Sequence, residues 1–227
     1  MAFEKKRSLV LFFILFFPFL TCFAQDVGIK ERTLESDEGQ RYLVRLPVRY
    51  NSEKLHPLFI AIHWLNGTAL QQVDEWKFLC NKNGYILVCP QFSEGYQHIR
   101  KKEDLRLMEI ISEVEREFSV DRNKIYLVGH SGGAQFAHRF AFKHPFMKAV
   151  CVLAGGEYDD PPSSVEARKV KYFVGVGEED KRYKAMTGLY SLLKRKGYDA
   201  EFKSFPSVGH ILHSSIKSAV IKFLSDL

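Results

Sequence analysis

One serine in the sequence has surroundings that favour nucleophilic catalysis, in Gly129-His130-Ser131-Gly132-Gly133. An apolar run at 125–128 precedes it and a helical pattern begins at Ala134, which predicts a tight turn between a buried strand and a helix. Flanking glycines let the chain pass close to its neighbours without a Cβ clash. The Oγ atom then lies beneath a helix N-terminus, where backbone N–H groups stabilise an oxyanion. We therefore predict that Ser131 is a nucleophile.

A serine hydroxyl reacts only after a base takes its proton, and a histidine oriented by a carboxylate commonly does this. Four histidines follow the serine: His138, His144, His210 and His213. The first two fall within and just after the predicted helix that leads away from the site. His210 lies in a loop after the last predicted strand, at the same sheet edge as Ser131. We predict His210 as the base, with His213 as the alternative or else as the cap of the last helix.

The carboxylate is expected after a strand that lies between Ser131 and His210 in the chain. The apolar pattern at 171–177 leads into Glu178-Glu179-Asp180, and we predict Asp180. Glu178 and Glu179 are local competitors that otherwise form a solvated charge run. Asp159 and Asp160 follow the preceding predicted strand and form the other alternative.

An oxyanion hole needs two N–H donors. Gly132 follows the nucleophile and is predicted to supply one of them. The second is expected from the loop His63-Trp64-Leu65-Asn66-Gly67, which follows another apolar run. We predict Leu65, with Trp64 as the alternative. His130, beside the nucleophile, is expected to point elsewhere and to pack.

Strand-like and helix-like segments alternate along the rest of the chain. Apolar or alternating runs occur at 41–46, 57–63, 85–90, 124–129, 149–153, 171–176 and 201–205, and helical periodicity at 70–83, 107–118, 134–143, 186–193 and 216–224. Continuous apolar strands between helices predict an α/β fold, with a mostly parallel central sheet covered on both faces. Only 155–169 is loop-like, and it is too short for a large lid.

These residues carry a resemblance to a known superfamily. The segment 118–133, together with Leu46-Pro47, Gly177-x-x-Asp180 and Gly209-His210, resembles the α/β-hydrolases. It is similar in particular to small secreted esterases related to polyhydroxybutyrate depolymerase and feruloyl esterase, and to the phospholipase/carboxylesterase group. The resemblance implies the α/β-hydrolase fold and ester hydrolysis through Ser131, Asp180 and His210, without a metal or organic cofactor. Those families usually carry His-Gly at the oxyanion loop, whereas this chain has His63-Trp64, so Trp64 is also a candidate wall of the acyl pocket.

The N-terminus has the pattern of a targeting signal. Lys5, Lys6 and Arg7 precede an apolar run at 9–20, which is shorter than the roughly 20 residues that a helix needs to cross a bilayer. This pattern is typical of a secretory signal peptide. We predict a signal peptide at 1–24, a single catalytic domain at 25–227, and export to the outside or the periplasm. Lipidation of Cys22 and retention of the run as an anchor are the alternatives.

Composition excludes several classes of protein. Of 227 residues, 46% are hydrophobic and 26% charged, which argues against intrinsic disorder. The net charge of +6 is too small and dispersed to indicate a nucleic-acid partner. Beyond residue 24 the cysteines are Cys80, Cys89 and Cys151, an odd number that leaves at least one thiol free. A bridge between Cys80 and Cys89 stays open, against the alternative of three buried apolar side chains.

The sequence thus predicts an exported serine hydrolase that cleaves small-molecule or carbohydrate-linked esters through an acyl-enzyme on Ser131. Four aromatic residues are expected near the rim, to stack on a sugar or phenolic group or else to pack: Trp64, Phe92, Tyr96 and Tyr158. A serine peptidase of the same fold and a non-catalytic binding protein are the alternatives. Membrane contact is expected only if the N-terminal segment is retained or Cys22 is lipidated. Acyl and alcohol specificity and the oligomeric state stay open.

Overall fold

The computed structural model describes residues 28–100 and 102–227. Eight strands form a sheet in the order β1-β2-β4-β3-β5-β6-β7-β8. Their bounds are β1 Lys30–Leu34, β2 Asp37–Arg45, β3 His56–Ile62, β4 Ile86–Gln91, β5 Val120–His130, β6 Ala149–Leu153, β7 Lys171–Gly177 and β8 Ala200–Phe205. Strands β3 to β8 run parallel to one another, whereas β1 pairs with β2 and β2 with β4 in antiparallel fashion. The predicted mostly parallel sheet is confirmed.

Five α-helices cover the two faces of this sheet. They are α1 Ala69–Asn83, α2 Glu103–Glu117, α3 Gly132–Lys143, α4 Tyr183–Arg195 and α5 Ser214–Ser225. Helices α2, α3 and α4 pack into one core, and α1 and α5 pack into the other. Alternate residues of β3 enter different cores, Ile60 on the first side and Phe59 on the second. A strand buried on both faces has no solvent side, which explains its continuous apolar sequence.

The edge strand β1 is absent from the sequence prediction. Its residues, Lys-Glu-Arg-Thr-Leu, are polar, and of the five only Leu34 is buried. Charged side chains are common on edge strands, where they discourage pairing with another chain. Its strand character comes from pairing with β2, such as Lys30 opposite Val44, and local hydrophobic pattern does not show such pairing.

The three described cysteines, Cys80, Cys89 and Cys151, are free and buried. The bridge between Cys80 and Cys89 that the sequence left open is therefore not formed. Burial raises the pKa of each thiol well above its usual value, so these side chains remain neutral packing groups.

The loop after β6 contains one 3-10 turn, Ala167–Lys169, and no α-helix, which agrees with the prediction that no large lid is inserted there. The predicted signal peptide and Cys22 lie outside the described residues. Within the part of the chain that the structure describes, no helix combines the length and the apolar character needed to span a membrane.

Candidate active site

Ser131 occupies the turn between β5 and α3, as predicted, with φ 57° and ψ −116°. A positive φ at a non-glycine residue costs about 1–3 kcal/mol and persists only where surrounding contacts hold it. Here the Ser131 N–H donates to the carbonyl of Leu153 at 2.9 Å, and the Ser131 carbonyl accepts from the N–H groups of Ala134 at 3.1 Å and Gln135 at 3.3 Å. Strand β6 and the first turn of α3 therefore fix the serine from both sides.

Two glycines allow this turn to close. A Cβ on Gly129 would stand 2.1 Å from the carbonyl oxygen of Gly133, and a Cβ on Gly133 would stand 2.4 Å from that of Ile62. Both distances lie far below van der Waals contact, so neither position accepts a side chain without backbone movement. The absence of these Cβ atoms brings the N-terminus of α3 against the end of β3, where the predicted oxyanion loop begins.

Ser131, His210 and Asp180 lie together, although they are far apart in the chain. The Oγ atom of Ser131 is 3.0 Å from His210 Nε2, and His210 Nδ1 is 2.6 Å from Asp180 Oδ2. The Asp180 carboxylate is fully buried, and its other oxygen accepts the N–H of Arg182 at 2.9 Å. One ring nitrogen of His210 therefore faces a buried carboxylate and the other faces the serine hydroxyl.

Backbone contacts between two loops position Asp180 and His210. The N–H groups of Glu178 and Glu179, just after β7, donate to the carbonyls of Phe205 at 2.9 Å and Val208 at 3.0 Å, in the segment that leads to His210. A Cβ on Gly177 would stand 2.0 Å from the Val208 carbonyl oxygen. The close packing of β7 against this loop thus sets the distance between carboxylate and imidazole.

The predicted oxyanion donors also lie near the serine. The Leu65 nitrogen is 3.1 Å from the point where a Cβ on Gly132 would stand. Gly132 opens α3, and the N–H groups of a first helical turn have no partner within the helix. The Leu65 Cβ lies 3.3 Å from the same point, and the Leu65 side chain as a whole is exposed.

The buried His63 supports the loop that carries Leu65. Its Nδ1–H donates to the Trp64 carbonyl at 2.8 Å, and its Nε2 accepts the N–H of Phe92 at 3.1 Å. The Tyr96 hydroxyl donates to the His63 carbonyl. Burial lowers the pKa of His63, and a neutral ring is the form that can donate at one nitrogen and accept at the other.

The alternative residues have other contacts. His213 caps α5, His138 bonds the Ala134 carbonyl and the Asp159 N–H, and His144 contacts Asp104. The acidic alternatives pair elsewhere, Glu178 with Ser204, Asp159 with Arg139 and Asp160 with Lys196, while Glu179 is exposed. None of these side chains contacts Ser131 among the hydrogen bonds of the described residues.

His130 is buried and packs, as expected, but the expectation that it points away from the site is wrong. Its ring stacks on that of His210, with centroids 4.9 Å apart and planes 27° apart, and meets the Trp64 ring edge-on at 6.3 Å. Burial, reinforced by the neighbouring His210, lowers the pKa of His130 to about 4. The ring is therefore neutral near pH 7. The sequence does not predict the direction of this ring, because a residue beside the nucleophile gives no local sign of stacking on a distant loop.

A cavity of about 480 Å³ opens over Ser131 and His210. Its other lining residues are Trp64, Leu65, Glu75, His130, Arg182, Ile211 and Leu212. Sequence reasoning missed two charged members of this set. Glu75 pairs with Lys217 at 2.5 Å, and Nη1 of Arg182 lies 2.8 Å from Nε2 of His210. The only sequence signal for Arg182 is its place two residues after Asp180.

Of the four aromatic residues expected at the rim, Trp64 lines the cavity. Phe92 and Tyr96 are buried and stacked on each other with centroids 5.6 Å apart. The Tyr158 hydroxyl lies against α4, 2.5 Å from the point where a Cβ on Gly188 would stand. Packing, the alternative given for these residues, therefore describes Phe92, Tyr96 and Tyr158.

The profile of the dienelactone hydrolase family matches residues 50–218, a region that contains Ser131, Asp180 and His210. The chain belongs to this family. The match begins before β3 and ends within α5, so it covers the parallel part of the sheet and both loops that meet at the serine.

Feruloyl esterases are among the known proteins that this family member resembles. A probable feruloyl esterase C of Aspergillus terreus is 30% identical over 148 residues, 59% of this chain and 54% of that protein. The Aspergillus oryzae counterpart is 29% identical over 127 residues, 52% of this chain and 47% of that protein. The chain spans about half the length of the curated relatives it matches. Family and relatives support the predicted enzyme class, a hydrolase of carboxylic esters.

Solved structures share the fold. The ferulic acid esterase of Anaeromyces mucronatus, solved with ferulic acid, superposes with a TM-score of 0.72 over 87% of this chain and 89% of that chain, at 17% identity. The poly(3-hydroxybutyrate) depolymerase of Bordetella parapertussis superposes with a TM-score of 0.66 over 81% of this chain and 85% of that chain, also at 17% identity. Together with the family match, these similarities confirm the predicted α/β-hydrolase fold.

Proposed function

We propose that this protein is a serine hydrolase that cleaves carboxylic esters through an acyl-enzyme on Ser131. The observation that supports this most is the position of the His210 ring, 3.0 Å from Ser131 Oγ at Nε2 and 2.6 Å from Asp180 Oδ2 at Nδ1. Hydrogen-bond distances on both sides of one imidazole are what a base needs to activate a hydroxyl while a carboxylate orients it.

In the acylation half of the reaction, Nε2 of His210 takes the Ser131 proton while Oγ attacks the ester carbonyl. The buried Asp180 carboxylate stabilises the imidazolium that forms. The N–H groups of Gly132 and Leu65 hold the negative oxygen, and each such donor is worth roughly 3–4 kcal/mol. The tetrahedral intermediate then collapses, and His210 passes its proton to the leaving alcohol.

Deacylation repeats these steps with water. A water molecule takes the place of the departed alcohol and gives a proton to Nε2 as it attacks the acyl carbonyl. The second tetrahedral intermediate expels Oγ, which recovers the proton from His210, and the acid product leaves. The residues that line the site are sufficient for each proton transfer in this cycle.

The cavity supports an ester with an apolar or aromatic group. Trp64, Leu65, Ile211 and Leu212 supply apolar surface beside the serine, and about 480 Å³ lies within the usual range of small-molecule sites. The feruloyl esterase relatives support a phenolic acyl group, and the lack of an inserted helical lid after β6 supports access by a carbohydrate-linked ester.

We also propose export, which rests on the sequence pattern at 1–24. The basic residues and the short apolar run are the features that support a signal peptide. Pulse labelling of the full chain expressed with its own N-terminus tests this. Recovery of a shortened protein outside the cytoplasm is expected, whereas recovery at full length inside the cell would contradict export.

The proposed activity is tested with p-nitrophenyl butyrate and with a serine-directed phosphonate. Ser131→Ala should abolish phosphonate labelling and lower kcat by at least about 10⁴-fold, and Asp180→Asn should lower kcat by about 10⁴-fold, as in serine proteases, because the amide favours the wrong tautomer of His210. His213→Gln is the matched control, since it replaces an imidazole in the same loop that only caps α5.

Full turnover by Ser131→Ala would refute the nucleophile assignment. The choice of base would be refuted if His213→Gln lowered kcat as much as His210→Gln does. A panel of acetyl, butyryl and feruloyl esters, run beside peptide p-nitroanilides with matching acyl groups, separates an esterase from a peptidase. Cleavage of the peptides faster than the esters would contradict the proposed reaction.

A further inference from the structure

Arg182 places a cation at the reacting end of His210. Its Nη1 lies 2.8 Å from His210 Nε2, the same nitrogen that faces Ser131 Oγ at 3.0 Å. Within 28–100 and 102–227, no carboxylate forms an ion pair with this guanidinium. The charge is therefore available to whatever occupies the cavity that Arg182 and Ser131 both line.

The fold directs Arg182 into the cavity. The residue immediately precedes α4, and its backbone N–H donates to Asp180 Oδ1 at 2.9 Å, which anchors its main chain beside the carboxylate. Its stem passes Gly156, where a Cβ would stand 3.2 Å from Nε and 3.7 Å from Cδ of Arg182. A larger residue at 156 would push the stem aside, so this glycine leaves the space that the arginine uses.

Two donors compete for one acceptor in this arrangement. A neutral imidazole with its proton on Nδ1 has a single lone pair on Nε2, and both the Ser131 hydroxyl and Arg182 Nη1 approach it. Once Nε2 has taken the serine proton it becomes a donor, and the guanidinium then faces a like charge without an acceptor. The nearest new acceptor is the oxygen to which Nε2–H must deliver its proton, because that oxygen has to lie about 3 Å from Nε2.

We propose that Arg182 is a further catalytic residue, which donates a hydrogen bond to the leaving oxygen of the ester as its bond to the acyl carbon breaks. The proposal rests on the proposed function. The electron pair of the broken C–O bond goes to the leaving oxygen, and the proton from Nε2 of His210 neutralises it. Arg182 keeps all of its protons. In deacylation the attacking water occupies the same position and accepts the same hydrogen bond.

This role depends on the charge of the leaving group. An alkoxide is strongly basic and carries concentrated negative charge as it departs, so a guanidinium donor stabilises it effectively. A p-nitrophenolate spreads its charge over the ring and departs without such help. Arg182 should therefore matter for alkyl esters and much less for p-nitrophenyl esters that carry the same acyl group.

The test is a series of neutral butyrate esters with p-nitrophenyl, phenyl, trifluoroethyl and ethyl leaving groups. For each ester, kcat/KM is measured because it reports the steps up to release of the alcohol. Arg182→Met, which keeps an unbranched apolar stem and removes the donors, should lower kcat/KM for ethyl butyrate roughly 10- to 100-fold, as for loss of a hydrogen bond to a charged group, and should leave p-nitrophenyl butyrate little changed. Arg182→Lys, which keeps a cationic donor, should fall between the parent and the Met variant.

Lys181→Ala is the matched control, because it removes the same charge from the adjacent exposed position. It should affect all four esters equally and slightly. Gly156→Val provides an independent variant that displaces the Arg182 stem without removing the guanidinium. It should reproduce the dependence on the leaving group in weaker form, and together with Arg182→Lys it decides the matter if Arg182→Met unfolds.

An equal loss of kcat/KM across the four esters would overturn the proposal, because it would make Arg182 a positioning residue for Asp180 and His210. Unchanged hydrolysis of ethyl butyrate by Arg182→Met would overturn it as well. Failure of the proposed function is distinguishable, since it would appear as turnover that persists in Ser131→Ala. A leaving-group effect is interpreted only for activity that Ser131→Ala removes.

Discussion

Replacing Gly129 by alanine is the sharpest test of how the nucleophile turn is built. The added Cβ would stand 2.1 Å from the Gly133 carbonyl oxygen, 2.3 Å from its carbonyl carbon and 2.7 Å from the Ala134 nitrogen. All three neighbours are backbone atoms in the first turn of α3, so no side-chain rotation can relieve the contact. Either β5 or the start of α3 has to move by about 1 Å to restore ordinary contact distances.

Such overpacking is expected to lower the free energy of unfolding by about 3 kcal/mol or more. Ser131 lies between the two segments that are forced apart. Its movement would therefore change the 3.0 Å distance between its Oγ and His210 Nε2. A misplacement of about 1 Å costs on the order of 10²-fold in rate. Gly129→Ala should therefore lose both stability and kcat.

Urea denaturation measures the first effect, and steady-state kinetics corrected by phosphonate titration of active sites measure the second. Gly209→Ala is the matched control, since no atom beyond its two chain neighbours lies within 4 Å of the added Cβ and the residue precedes His210 in the other loop of the site. It should stay within about 0.5 kcal/mol of the parent. A Gly129→Ala variant with the parent urea midpoint and kcat would refute this account of the turn.

His63→Leu should lower the free energy of unfolding by about 1–3 kcal/mol, because the buried Phe92 N–H and Trp64 carbonyl lose their partner. Its kcat should fall together with kcat/KM as the Leu65 loop shifts, and urea titration with ester kinetics checks both. Burial lowers the pKa of His138 and His130 from 6.5 to about 4. Below pH 6.5 the unfolded chain thus binds protons that the folded chain does not. The free energy of unfolding therefore decreases as the pH is lowered, by roughly 2.5 kcal/mol for each group at pH 4.5. Urea titrations at pH 7 and 4.5 check this, and an unchanged pH dependence in His138→Gln would contradict it.

Local pattern was sufficient for the parallel sheet and for the order of the candidate triad. A strand covered on both faces must be apolar throughout, and a helix between strands must carry one apolar face. Each of these patterns is therefore visible within a short stretch of sequence. Ser131 was recognisable because glycines, a preceding strand and a following helix surround it. The order along the chain and the shared sheet edge predict Asp180 and His210, and both follow from the same local signals.

Tertiary structure alone decided the contacts between distant segments. The polar edge strand β1, the stacking of His130 on His210 and the approach of Arg182 to Nε2 each depend on how two remote parts of the chain are aligned. In the sequence Arg182 is one charge in a run of charged residues, and His130 is a neighbour of the nucleophile. Their surroundings follow from the pairing of β5 to β8 and the loops bound to those strands, and no window of adjacent residues contains that information.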